Sequence, residues 1–391
     1  MRNRLKIKLI QLTKKNVMIK RFEANVTEPV LDDLRMRLSQ VRWPDEINNS
    51  GWNYGTSLDY MKELCDYWLN EFSWRKTENT INSYPNYIAE IDGSKIHFLH
   101  IKGEGKKSIP LIITHGWPGS FLEIMKLIPL LTKSKDVSFD LVIPSVIGFG
   151  FSSKYLQPGC DNSFVADLWH KLMLHLGYEK YGAQGGDIGS GISTWLAMKY
   201  PNHVIGLHLN YISDSFRPYC SNEEENSNDV KEYKKDLEKW ASKEAGYAYI
   251  QSTKPITLAY GLNDSPIGLC AWIVEKLNSW SDNKDGLENV FTKDEILSNV
   301  TLYWATQSIH SSIRIYNENS KRPMIFQSSD FVQVPVAYAN FPKEISSPPR
   351  SYAAMGYNIT RWTYMPSGGH FAAMEKPELL SSDIKDFFNS L

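Results

Sequence analysis

Four cysteines in 391 residues, Cys65, Cys160, Cys220 and Cys270, stand far apart and form no C-x-x-C pair. Neither a disulfide framework nor a cysteine-ligated metal site is indicated, and a reducing compartment, the cytoplasm, is the expected location. Charge of neither sign is in excess: 43 Lys and Arg face 44 Asp and Glu, for a net charge of −1. That removes the basic footprint a nucleic-acid partner requires. No window approaches the roughly 18 consecutive apolar residues of a membrane-spanning helix, so no transmembrane anchor is expected. The Gly-rich stretch VIGFGFSS has no Lys at Walker spacing, which argues against a phosphate cradle. The opening MRNRLKIKLIQLTKKNVMIK is basic and broken by charges, too polar for the apolar centre of a secretory signal. It reads as a loose arm over residues 1–20. A translation start at Met18 and weak membrane-surface association through the basic residues are the alternatives.

What is present suits one large α/β domain with an insertion. Hydrophobic residues make up 42% of the chain, enough for a sizeable core, and the 12 Trp and 21 Tyr make an apolar pocket easy to build. Residues 21–85 carry helical spacing in LDDLRMRL and SLDYMKELCDYWLNEFSW, interrupted by Arg42, Trp43 and Pro44, and read as a helical segment packing on the core. NYIAEIDGSKIHFLH alternates around Asp92-Gly93, a hairpin signal, so two antiparallel strands are expected to open the sheet. IPLIIT, residues 109–114, is a continuous apolar run of the kind a parallel sheet buries on both faces. Further strands are expected at residues 139–144, 181–184, 204–210, 334–339 and 358–365, and a helix over residues 190–200. Residues 86–210 and 323–391 would thus form the core. Between them, residues 211–322 lose the strand rhythm and read as a helical lid over the sheet's C-terminal edge, where ligands sit in open α/β sheets. Within this lid Ser265 is placed to cap a helix with Pro266 in its first turn.

The stretch YGAQGGDIGS, residues 181–190, has the layout of a nucleophile elbow, G-x-S-x-G, with Asp187 in place of the serine. A serine that attacked a saturated carbon would be left as an ether that water cannot open. A carboxylate attacking the same carbon forms an ester whose carbonyl belongs to the enzyme, and activated water can hydrolyse it. Such a site needs backbone N–H donors, a histidine and an acid. HGWPGS follows the strand over residues 109–114, the position from which this fold donates one oxyanion N–H. The expected donors are therefore the backbones of Trp117 and Ile188. The plainer reading is a tight turn with Ser120 capping the next helix. Asp187, Glu344 and His370 occur in the order nucleophile, acid, histidine, each just past an expected strand. Asp214, after the strand that follows the elbow, is the alternative acid, whereas Asp330 precedes its strand. An epoxide expels an alkoxide whose conjugate acid has a pKa of about 15.7, so a donor such as tyrosine, near about 10, is required; a halide needs none. The lid offers Tyr247 and Tyr316.

AQGGDIGS, HGWPGS, AGYAYIQSTKP, LNDSPIGL, SIRIYNEN, FPKEI and SGGHFAAMEKPELL together resemble the microsomal-type epoxide hydrolases, including juvenile hormone and shorter bacterial members. The similarity runs from about Phe22 to the end of the chain. It implies an α/β-hydrolase fold with a mostly parallel central sheet, helices on both faces, a helical lid and an N-terminal segment. It places the nucleophile on Asp187, the base on His370, the acid on Glu344 and the two ring-opening tyrosines on Tyr247 and Tyr316. The implied reaction takes an apolar epoxide and water to a vicinal diol, with no cofactor and no metal. Two departures stand out: Ile188 replaces the family's usual Trp after the nucleophile, and no N-terminal anchor helix is evident, so a soluble enzyme is expected. A homodimer is compatible with the sequence. The rival readings are a haloalkane dehalogenase on the same fold, with Trp117 as one halide donor, and a non-catalytic hydrolase-fold binder.

Overall fold

A computed structural model of the chain describes residues 18–134 and 136–391; most of the expected N-terminal arm, residues 1–17, lies outside them. Among the described residues nine strands form one sheet: β1 (Ile19–Arg21), β2 (Asn86–Ile91), β3 (Ser94–Ile101), β4 (Lys107–Thr114), β5 (Val137–Pro144), β6 (Tyr181–Gly185), β7 (Val204–Leu209), β8 (Val332–Asn340) and β9 (Tyr357–Tyr364). Their spatial order is β1-β2-β3-β5-β4-β6-β7-β8-β9. β4 through β9 run parallel, and β1, β2 and β3 add an antiparallel edge. This is the α/β-hydrolase architecture. The apolar run becomes central strand β4, and Leu111, Ile112 and Ile113 are fully buried, as a strand covered on both faces demands.

Two boundaries differ from the expectation. Three antiparallel strands, not two, open the sheet, because Ile19–Arg21 pairs with β2 and cuts across the limit drawn at residue 20. A strand of three residues with two of them exposed carries too little alternation to be read from sequence. The helix behind the elbow begins at Asp187 rather than at Ser190.

The helices before the lid are α1 (Glu28–Ser39), α2 (Leu58–Asn70), α3 (Trp74–Asn82), α4 (Leu127–Thr132), α5 (Asn162–His175) and α6 (Asp187–Lys199). The inserted region holds α7 (Asn222–Glu225), α8 (Asn228–Glu244), α9 (Gly246–Thr253), α10 (Pro255–Asp264), α11 (Pro266–Trp280), α12 (Lys293–Thr306), α13 (Ile309–Ser312) and α14 (Arg314–Ser320). The closing elements include α15 (Arg350–Ala353), α16 (Ala372–Glu375) and α17 (Pro377–Asn389). Local chemistry sets the starts: Ser265 accepts the Gly268 N–H ahead of α11, and Thr292 and Glu295 form a capping box at α12.

The N-terminal segment lies over the inserted helices as well as the sheet. α2 buries Met61, Leu64, Cys65 and Trp68, one stripe at helical spacing. The Trp68 indole N–H donates to Thr301 Oγ1 of α12 at 3.0 Å. Thr56 Oγ1 donates to the Ala271 carbonyl at 2.9 Å, and Arg37 Nη1 to the Asp264 carbonyl at 2.6 Å. Among the described residues no helix is long and apolar enough to cross a membrane.

Candidate functional site

Asp187 follows β6 at a bend that only close backbone approach permits. Its φ is +47°, left-handed for a residue with a side chain, and the sharp turn lifts the carboxylate above the sheet edge. A Cβ at Gly189 would sit 2.0 Å from the Thr114 carbonyl oxygen, and one at Gly116 would sit 2.1 Å from Asp187 Oδ1. The glycines of the elbow and of HGWPGS are thus what lets the two loops meet.

The two oxygens of Asp187 have different partners. Oδ1 accepts the Trp117 backbone N–H at 2.7 Å, and Oδ2 lies 3.2 Å from His370 Nε2. The Ile188 N–H, in the first turn of α6, makes no hydrogen bond to the carboxylate, so one of the two expected donors touches Oδ1 here. Ser120 also does what the plainer reading assigned to it, accepting the Leu122 N–H at 3.3 Å. A turn can cap the next helix and donate an N–H at once.

His370 Nδ1 is 2.5 Å from Glu344 Oε1, which also accepts the Ile345 N–H at 2.7 Å. Asp214 makes no hydrogen bond to His370; it lines the cavity on the lid side instead. Burial opposes charge on His370, but the Glu344 carboxylate and the contact with Asp187 outweigh it and raise its pKa well above the ordinary value. The two flanking carboxylates thus favour the protonated form of the imidazole.

Tyr247 of α9 and Tyr316 of α14 face the elbow from the lid. Their rings are 5.9 Å apart and nearly perpendicular, and the Tyr247 ring stacks on Trp117 at 5.4 Å. Burial drives both phenol pKa values well above the usual range. The Asp187 carboxylate adds to this in both, after the neighbouring phenol in the case of Tyr316. Both therefore stay as O–H donors. A cavity of about 230 Å³ touches Asp187, Ile188, Tyr211, Trp240, Tyr247 and Tyr316. Such a site can attack an electrophilic carbon with Oδ2 while two phenols hydrogen-bond the atom that leaves. Among the described residues no group of three or more His, Cys, Asp or Glu could hold a metal ion.

Several supporting residues were not singled out in the sequence. His115 is buried, with Nδ1 donating to the Gly116 carbonyl at 3.1 Å and Nε2 accepting the Val146 N–H at 3.1 Å. Burial lowers its pKa to about 4, so it pins the loop as a neutral ring. Asn299 and Tyr303 of α12 donate to the carbonyls of Pro118 and Gly119, each at 2.7 Å. Glu375 accepts the N–H groups of Gly369 and Phe371, each at 2.9 Å, and fixes the loop that carries His370. The available signal was local: His115 stands inside HGWPGS and Glu375 inside SGGHFAAMEKP.

Residues 19–124 match the family described as epoxide hydrolase N terminus, and residues 109–377 match the alpha/beta hydrolase fold. Fold and elbow together thus define an α/β hydrolase. Epoxide hydrolase 1 of Oryctolagus cuniculus is 36% identical to this chain over 94% of its residues and 88% of the relative's. The crystal structure of juvenile hormone epoxide hydrolase from the silkworm Bombyx mori matches with a TM-score of 0.87 at 30% identity, covering 96% of this chain and 95% of that one. The structure of Aspergillus niger epoxide hydrolase matches with a TM-score of 0.84 at 30% identity, covering 95% and 96%. The chain belongs to the epoxide hydrolase family.

Proposed function

We propose that the enzyme converts an apolar epoxide and water to a vicinal diol through a covalent alkyl ester on Asp187. The observation that carries this reading is the unlike surroundings of the two Asp187 oxygens, Oδ1 on the Trp117 N–H and Oδ2 beside His370, in a residue that borders the lid cavity. Oδ2 attacks the ring carbon, the C–O bond of the epoxide breaks, and a proton from Tyr247 or Tyr316 goes to the alkoxide. The protonated His370 makes good that proton and is left neutral. Esterification removes the negative charge of Asp187, one of the influences that raise the pKa of His370 and of both phenols. The first step therefore makes the imidazole ready to act as base in the second.

In the second step water gives a proton to His370 Nε2, with Glu344 holding Nδ1, and its oxygen bonds to Asp187 Cγ. The oxyanion forms at Oδ1, near the Trp117 N–H and the N-terminus of α6, with the Ile188 N–H as second donor. Collapse breaks the Cγ–O bond to the alkyl chain, which takes the proton from His370 and leaves as diol. The proton of the new carboxyl group passes to His370, which restores the resting pair. An apolar substrate is supported by the cavity wall of Ile188, Trp195, Trp240 and Met324.

His370→Ala leaves ring opening alive and stalls hydrolysis. Intact-mass measurement after addition of styrene oxide then shows one substrate mass retained, and Asp187→Ala retains none. Unmodified His370→Ala protein that still binds the epoxide overturns the reading. Halide release from chloroalkanes tests the dehalogenase alternative, for which Trp117 Nε1, buried without a partner among the described residues, is a candidate donor.

A further inference from the structure

Asp187 borders two spaces whose linings share no other residue. One is the lid cavity; the other is a cavity of about 20 Å³ on the loop side, lined by Gly116, Glu123, Asp187, Asn210, His370 and Phe371 among others. A volume of that size holds one water molecule, and these walls offer the two to four polar partners a buried water needs. A third cavity, of about 280 Å³, lies between α3, the turn Phe121–Ile124 and α12. It shares Gly119, Glu123 and Phe371 with the small one and reaches exposed Lys76 and Thr80. Glu123 is thus the titratable side chain common to the outer and inner spaces.

The placement of Glu123 is enforced by its neighbours. Its Oε2 lies 2.0 Å from where a Cβ at residue 119 would be, so the glycine of HGWPGS makes room for this carboxyl group. Burial, and then the charge of Asp187, push its pKa up to about 8, while His370 and the Gly116 N–H act the other way. Neutral or ionised, it presents an oxygen that accepts a hydrogen bond. The ring-opening and ester-hydrolysis scheme gives this group no task.

We infer that Glu123 is a positioning residue for the hydrolytic half of the reaction: it holds the attacking water between Asp187 Cγ and His370 Nε2, and the cavity beside α3 and α12 supplies that water by a route separate from the epoxide's. The inference rests on the covalent-ester reading. In the ester the alkyl chain fills the lid cavity, so water arriving there must pass it, whereas the loop side stays free. Water loses one proton to His370 and offers the other hydrogen to Glu123, which neither gains nor loses a proton.

Single-turnover quench with intact-mass readout on the full chain separates the two steps. Glu123→Ala should keep the rate of ester formation within about threefold and slow ester breakdown on the order of tenfold, the worth of one hydrogen bond to the attacking water. Glu123→Gln, which keeps an acceptor oxygen, should recover most of that loss. Thr77→Trp, which fills the outer cavity far from Asp187, should likewise slow breakdown alone; it serves as the test if Glu123→Ala does not fold. Breakdown at the wild-type rate in the variant tested, or equal slowing of both steps, overturns the inference. Retained mass in His370→Ala alongside either result leaves the covalent reading standing; absence of retained mass there sinks both.

Discussion

The sheet half of the site and the lid half are held by different forces. Asp187, Glu344 and His370 project from the ends of β6, β8 and β9 and are set by backbone hydrogen bonds, from Trp117 to Asp187, from Ile345 to Glu344, and from Gly369 and Phe371 to Glu375. Tyr247 and Tyr316 come from helices and are set by ring packing, with Trp117 stacked on one and edge-on to the other. The sheet half is built from oriented dipoles, which suit the stabilisation of charge, and the lid half from aromatic area, which suits the exclusion of water. Trp117 belongs to both, its N–H on the carboxylate and its ring on the phenols.

This division can be broken experimentally. The largest effect is expected from Tyr247→Phe or Tyr316→Phe, each lowering the rate of ester formation on the order of 10²-fold by removing a proton donor. Breakdown of ester already formed should be nearly unchanged; if rapid-quench data show both steps falling together, the halves do not act separately. A smaller effect is expected from Asn299→Ala, which removes the hydrogen bond to the Pro118 carbonyl. It should cost about 1 kcal/mol in urea denaturation and less than about tenfold in turnover. The smallest is an expected absence of change. Because burial and the Asp187 carboxylate raise both phenols, ester formation should hold its rate as pH rises through about 10, where an ordinary tyrosine loses its proton. A basic limb centred at that value in the pH profile would show that the lid does not shield them.

The fold was legible because its central strands are short apolar runs, and because QGGDIGS and HGWPGS demand a sheet edge to sit on. The chain order of Asp187, Glu344 and His370 was legible for the same reason. The choice between Glu344 and Asp214 was not, since both follow strands; Glu344 is the one whose Oε1 meets His370 Nδ1. The parts that escaped sequence reading act through burial or main-chain contact. Glu123 looks like an ordinary helical-turn glutamate until Gly119 is seen to make room for it, and Glu375 until its N–H partners are known. Strand β1 escaped because three residues cannot show a period.

Helix α12 has a consequence for how this chain can be cut. On its outer side it receives the Trp68 indole N–H, and on its inner side Asn299 and Tyr303 grip the loop that presents the Trp117 N–H. The front segment is therefore linked to the Trp117 loop through a single intervening helix. A truncated enzyme starting after α3 would expose the α12 face that Trp68 covers and leave that loop without its outer brace, so the front segment supports the loop that meets Asp187 and is not a removable preface.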